Sequence, residues 1–187
     1  MENLLPAMII KLAEVNLLYK NLIEGKFVFI RDVEIEDAEF ILKLRCDEKK
    51  AKYLHKTEYN VSKQIDYIKK YKELNNEWYF IIENKKHTPI GTYRIYDLKE
   101  DSFCIGSWLM VDGATPLETL EGEYLVKMFA FEKTGFTKFH FDVRKENKKV
   151  LRYHKMMGAK IVGETDIDYL FECTKADYLE NIKKYLY

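Results

Sequence analysis

The chain has 187 residues and a formal charge of zero, with 31 Lys and Arg against 31 Asp and Glu. That balance provides no electrostatic drive towards nucleic acid or an anionic membrane. A hydrophobic fraction of 47%, with 14 Tyr and 11 Phe against 8 Gly and 3 Pro, argues against extensive disorder. Cys46, Cys104 and Cys173 are odd in number and widely spaced, so neither a disulfide framework nor a metal site is expected. The opening "MENLLPAMIIKLAEV" carries Glu2 and Lys11 and no small-residue cleavage site, so it does not read as a signal peptide. No apolar run reaches the length of a bilayer span. A cytoplasmic setting is the expectation.

Leu5, Met8, Ile9, Leu12, Val15, Leu18 and Leu22 recur at helical spacing, with Pro6 near the start and Gly25 just past the end. This predicts an amphipathic helix over about 4–24, a segment 1–25 packed on the main domain or lying at a dimer contact. The main domain then spans 26–187. "KFVFIRDV" reads as a strand and "DAEFILKLR" as a helix with Asp37 at its positive end. "NVSKQIDYIKKYKELNN" reads as a second helix, capped by Ser62 and burying Ile65, Ile68 and Leu74. "EWYFIIE", "PIGTYRIYDL" and "SFCIGSWLMV" are aromatic and branched, separated by short polar turns, and predict an antiparallel meander. The segment "TLEGEYLVKMFAFEKTGF" is helical, "KFHFDVR" is a strand, and Asn147 opens a further helix. "AKIVGE" and "DYLFECT" close the strands, and "KADYLENIKKYLY" is a last amphipathic helix. A meander feeding a strand–helix–strand crossover implies an α/β fold, a mixed sheet with helices on both faces.

That order, with these residues, resembles the GNAT acetyltransferase superfamily, and within it the RimJ/RimL-like branch. The resemblance covers about residues 27–173 and is carried by "FIRDVEIEDAEFILKLR", by "PIGTYRIYDL" followed by "FCIGSWLM", by "EGEYLVKMFAFEKTGF" and by "VRKENKKVLRYHKMMGA". It implies acetyl-CoA as co-substrate and a primary amine as acceptor. The amine attacks the thioester directly in a ternary complex and CoA thiolate leaves. The acceptor is a small molecule, with an amino sugar or nucleotide-linked amino sugar favoured. A polyamine would call for an acidic cleft, a nucleotide sugar for Arg94 or other cations. A homodimer is a further possibility the family allows.

The resemblance also implies a site. The backbone of Leu109, Met110 and Val111 would bond the pantetheine arm, with Ser107 and Trp108 deeper, towards the acceptor. The family's pyrophosphate loop, Q/R-x-x-G-x-G/A, matches "GATPLETLEGEYL", where Leu117 and Thr119 stand in place of glycines. If the helix opens near Glu121 and Gly122, then Thr119, Leu120, Glu121 and Gly122 lie at the phosphates, where a helix N-terminus favours an anion. Asn147 would cap the next helix and touch the pantetheine, with Lys149 and Val150 beside it.

His154 takes the position at which the family often has a Tyr that protonates or hydrogen-bonds the leaving sulfur, and an imidazole can do the same. Tyr153, one residue earlier and about 100° round the helix, is the alternative. The strand "SFCIGSWLMV" lacks the carboxylate that many relatives use as base. Cys104 falls in its place, Glu121 and Asp142 are candidates elsewhere, and a water chain could serve instead. The missing glycines and carboxylate leave a second class open: a non-catalytic GNAT-like module that binds CoA or a protein partner.

Overall fold

The structure, a computed structural model, describes residues 22–74 and 76–186. One eight-stranded sheet runs through them in the order β1-β2-β3-β4-β5-β6-β8-β7. Its strands are β1 (Leu22–Glu24), β2 (Val28–Asp32), β3 (Trp78–Asn84), β4 (Pro89–Tyr96), β5 (Ser102–Met110), β6 (Lys138–Arg144), β7 (Lys160–Glu164) and β8 (Asp168–Thr174). The helices are α1 (Ala38–Arg45), α2 (Val61–Glu73), α3 (Pro116–Thr134), α4 (Lys148–Met156) and α5 (Lys175–Leu186). Strands β3 to β5 form the expected antiparallel meander, and β2 and β1 add to its β3 edge, also antiparallel. β5 and β6 are the parallel pair, joined through α3.

Period-two patterning sends the large residues of each strand to one face. Phe103, Phe139, Phe141, Phe171 and Ile95 pack with Val126, Ala130 and Phe131 of α3 and with Tyr178 and Ile182 of α5 in the main core. Each such buried side chain contributes about 1.5–3 kcal/mol relative to exposure. On the opposite face Tyr79 and Ile81 pack with Ile41 of α1 and with Ile68 and Tyr71 of α2. Helices therefore cover both faces, as the pattern predicts. Paired residues share a face, and the register runs Tyr79↔Arg94, Arg94↔Gly106, Tyr96↔Cys104 and Cys104↔His140. Arg94, Tyr96, Cys104, Gly106, His140 and Asp142 thus all lie on the α1/α2 face.

Three local expectations change. Of the helix predicted over 4–24, residues 1–21 lie outside the described residues. Leu22–Glu24 form a strand paired with Phe29–Arg31, because Gly25 makes a tight turn, its N–H donating to the Val28 carbonyl at 2.8 Å. α2 is capped by Asn60, whose side chain accepts from the Lys63 N–H at 3.0 Å, and not by Ser62. Its buried face is Gln64, Ile68 and Tyr71, while Leu74 is exposed.

Candidate active site

The site is built on an incomplete strand pairing. β5 is nine residues long and β6 seven, yet only Ser102–Cys104 and Lys138–His140 pair. Beyond Cys104 the strands part. A bulge assists the parting: Ser107 and Trp108 together oppose Tyr93, since Thr92 pairs with Leu109 and Arg94 with Gly106. Ser107 adopts a φ of 49° there, a left-handed geometry that side chains hold only where the surroundings enforce it. The Thr92 hydroxyl anchors the bulge by donating to the Ser107 carbonyl at 2.7 Å.

Beneath the opening, on the α3 side, four rings form a floor. Trp108 of β5 lies 5.2 Å from Tyr153 and 6.4 Å from His154, and His154 lies 4.2 Å from Phe141 of β6. His154 is 5% exposed. Burial, with the nearby Lys127 charge, holds its pKa well below the usual histidine range. It is a neutral imidazole at pH 7, able to donate one N–H but not to carry a second proton. Tyr153 is engaged differently: its phenol donates to Glu123, which is ion-paired with Lys127. Glu123 and Lys127 are wholly buried, and the Lys127 ammonium also lies over the rings of Phe139 and Tyr178. Burial and the Glu123 charge push the Tyr153 phenol far above its usual range. The indole N–H of Trp108 is buried without a partner, a donor that an acceptor atom entering the opening would satisfy.

The expected pyrophosphate-loop residues are placed elsewhere. α3 begins at Pro116, with Thr115 as its cap, about one and a half turns before the opening expected near Glu121. Proline is favoured at the first helical position, and Thr115 with Glu118 forms a capping box, a reason the helix starts there. Thr119, Leu120, Glu121 and Gly122 are therefore inside the helix. The Glu121 carboxylate accepts the backbone N–H groups of Lys26, Phe27 and Val28 at 2.8, 2.5 and 2.9 Å; it ties down the β1–β2 turn. Gly122 is needed for packing, since a Cβ there would meet Ile82 at 2.9 Å. Asn147 caps α4, its side chain accepting from the Val150 N–H at 3.4 Å. Lys149 is exposed and Val150 half-buried beside it. Just past β5 the Val111 N–H is already committed to the Ile90 carbonyl at 2.8 Å, while Leu109 and Met110 remain in the stretch that leaves β6.

On the α1/α2 face, beside the bulge, lies a cleft of about 280 Å³ lined by Arg45, Lys63, Gln64, Tyr67, Tyr79 and Arg94, with Glu58 at its edge. The Arg94 guanidinium is held by Glu77 at 2.5 Å and by the rings of Tyr67, Tyr79 and Tyr96 at 4.9–5.5 Å. Its Nε is buried without a partner. Arg45 donates to Thr57 at 3.0 Å and reaches the Ser107 hydroxyl at 3.4 Å, so the cleft is continuous with the bulge.

Residues 28–160, more than half the chain, match the model of the acetyltransferase (GNAT) domain. The chain belongs to the GNAT acetyltransferases. Among solved structures, one described as apo FdhC, a nucleotide-linked sugar GNAT, superposes with a TM-score of 0.78 at 36% identity, covering 90% of this chain and 97% of that one. The spermidine N-acetyltransferase of Vibrio cholerae in complex with CoA and spermine gives 0.71 at 18% identity, covering 83% and 99%. The ribosomal-protein-S5-alanine acetyltransferase of Vibrio fischeri gives 0.69 at 14%, covering 84% and 98%. The last two share the fold. No sequence among the curated proteins matches the chain.

In this GNAT domain the structure brings together Trp108, Tyr153 and His154 below the strand opening, and Arg94 and Ser107 above it. It removes Glu121 and Gly122 from the site. Arg45 and Tyr67 line the cleft and were not anticipated: both sit on amphipathic helices where a half-buried cation or Tyr looks like any helix flank. Asp142 has no ion pair among the described residues, since Arg94 is taken by Glu77 and Arg144 by Asp168 at 2.9 Å. Among the described residues no helix is long and apolar enough to cross a membrane, and no group of His, Cys, Asp and Glu is placed to hold a metal.

Proposed function

We propose that this GNAT domain moves an acetyl group from acetyl-CoA to the primary amine of a nucleotide-linked amino sugar, by direct attack in a ternary complex. The carrying observation is the cleft. Arg45, Lys63 and Arg94 line it, and the acids beside them are already paired, Glu58 with Lys63 at 2.7 Å and Glu77 with Arg94 at 2.5 Å. No carboxylate among the lining residues is left to hold a polyamine, whereas a diphosphate suits two arginines, which bind phosphate oxygens in a bidentate fork. Tyr67 and Tyr79 offer faces to a base or sugar ring. The 36% identity to a nucleotide-linked sugar GNAT points the same way. The order of motifs fits the RimJ/RimL-like branch, from which we take the ternary-complex chemistry.

In this reading the pantetheine arm lies in the opening between β5 and β6, along Leu109 and Met110, with its thioester near the bulge. His154 donates its N–H to the leaving sulfur, and Tyr153 holds the floor in place. A helix end that offers free N–H groups favours phosphate. Here the capping box occupies much of the α3 terminus, so Lys148, Lys149 and Arg152, which carry no ion pair among the described residues, are the cations left to meet the CoA phosphates. That occupied terminus is also the specific observation favouring a non-catalytic module.

The deciding experiment is the melting temperature with and without acetyl-CoA, followed by turnover on an amine panel. A ligand at about 100 times its Kd adds about 2.7 kcal/mol of apparent stability, about 5–10 °C for a domain of this size. A rise with turnover of a nucleotide-linked amino sugar supports the proposal. A rise without turnover of any amine supports the module. No rise at millimolar acetyl-CoA rejects the transferase and leaves a module that binds a protein partner.

A further inference from the structure

The strand opening has two faces. On the upper, α1/α2 face, register places Tyr96, Cys104, Gly106, His140 and Asp142 around the same point. Cys104 pairs with His140 in the parallel ladder. Two residues further along each strand, Gly106 and Asp142 would stand opposite one another across the gap. Gly106 is small for a reason: a Cβ there would meet the Tyr96 hydroxyl at 2.8 Å. The ring of Tyr96 therefore roofs the bulge, beside Arg94 and the cleft.

An acceptor amine arrives as an ammonium ion and must lose a proton before it can attack. Most groups around this point are committed. His140 has both ring nitrogens engaged, Nδ1 with Ser102 at 2.8 Å and Nε2 with Asp97 at 3.2 Å. Asp97 is shared between His140 and Lys99. The Cys104 thiol is buried and pushed up to about 11, with Asp142 among the charges raising it. Burial likewise pushes Tyr96 upward, with Cys104 and Asp142 adding to the effect. Neither is a base at neutral pH. Asp142 is the remaining carboxylate: exposed, close enough to act electrostatically on both Cys104 and Tyr96, and with neither ion pair nor side-chain hydrogen bond among the described residues. A structural aspartate on this strand would be expected to pair with Arg94 or Arg144, and both have other partners.

We propose that Asp142 is the catalytic base that receives the acceptor's proton, on the face of the strand opening opposite His154. The assignment rests on the transferase reading above. Of the three N–H protons of the ammonium, one passes to Asp142 and on to solvent. The neutral nitrogen attacks the thioester carbon, the C–S bond breaks, and a second proton ends on the CoA sulfur beside His154. The third remains on the amide.

The test compares wild type, Asp142→Asn and Asp142→Gly, using acetyl-CoA with a panel of nucleoside-diphosphate-linked amino sugars and release of CoA thiol as readout. A positioned base contributes about 100-fold to 10,000-fold. Asp142→Asn is expected to lose that much kcat while the melting temperature and the acetyl-CoA-induced shift stay at wild-type values, and added formate is expected to restore part of the activity of Asp142→Gly. Wild-type kcat in Asp142→Asn overturns the assignment and leaves the transferase reading intact. Loss of activity together with loss of stability or of the acetyl-CoA shift also overturns it, since Asp142 is then structural. If wild type binds acetyl-CoA but acetylates no amine, the transferase reading fails first and the assignment falls with it.

Discussion

The imidazole of His154 lies 4.2 Å from the ring of Phe141, so a residue on α4 closes the floor beneath the end of β6 where that strand has left β5. The contact excludes water from one side of the imidazole and keeps it uncharged. It also leaves His154 beside the stretch of β5 from which β6 has parted.

This burial has a pH consequence. The folded-state pKa of His154 is lowered, so the unfolded chain binds a proton that the folded chain does not. The stability linked to this histidine is fully present above about 6.5 and is lost as pH falls from there towards the folded pKa. Wild type should lose up to about 1.4 kcal/mol per pH unit more than His154→Gln between pH 6.5 and 5, read from urea melts.

The two adjacent side chains should separate kinetically. If the CoA sulfur lies above His154, as proposed, His154→Ala removes its donor and is expected to lower kcat by about 100-fold or more. Tyr153→Phe removes a hydrogen bond to Glu123 instead. It should cost about 1–3 kcal/mol of stability, with kcat changed far less. Equal losses of kcat in both variants would contradict this division of roles.

Lys127 and Glu123 form an ion pair that is wholly buried. Lys127→Met leaves the Glu123 carboxylate uncompensated in the core, and a loss of about 3–5 kcal/mol is expected by denaturant unfolding. The double variant Glu123→Gln/Lys127→Met should recover part of that loss, because no buried charge remains.

Glu121 accepts three backbone N–H groups from the β1–β2 turn. Glu121→Ala should lower stability by about 2–4 kcal/mol while leaving the KM for acetyl-CoA unchanged. A raised KM with unaltered stability would return Glu121 to the cofactor site.

In the cleft, Arg94→Ala is expected to raise the KM for a nucleotide-linked amino sugar by about 10-fold to 100-fold, with kcat largely kept, since the proposed function has it bind a part of the acceptor remote from the amine. A simple amino sugar without the nucleotide should show little difference between wild type and variant.

Much of the fold was legible in the chain because its signals are local. "KFHFDVR" and "DYLFECT" coincide end to end with β6 and β8, and the long apolar helix after "SFCIGSWLM" announces a parallel crossover. Chain order and spacing also sufficed for the family, and Asn147 reads as a cap from its neighbours alone. Local pattern was misleading where another local signal competed. Pro116 with the Thr115–Glu118 box starts α3 earlier than the family alignment of Glu121 and Gly122 suggested.

The remaining features depend on contacts between residues far apart in sequence. Glu121 looks like a first-turn acid until the turn at Lys26–Val28 arrives to use its oxygens. Arg94 was visible as a cation, but Arg45 and Tyr67 become cleft residues only when α1 and α2 settle on β4. Asp142 could not be told from a solvated strand residue until Glu77 and Asp168 were seen to occupy the arginines that would have neutralised it. Sequence by itself determined the elements, their order and the family, since these follow from periodicity, capping and motif spacing. Only the tertiary structure decided which polar side chains are free to do chemistry, because that depends on which partners the fold has already supplied to the others.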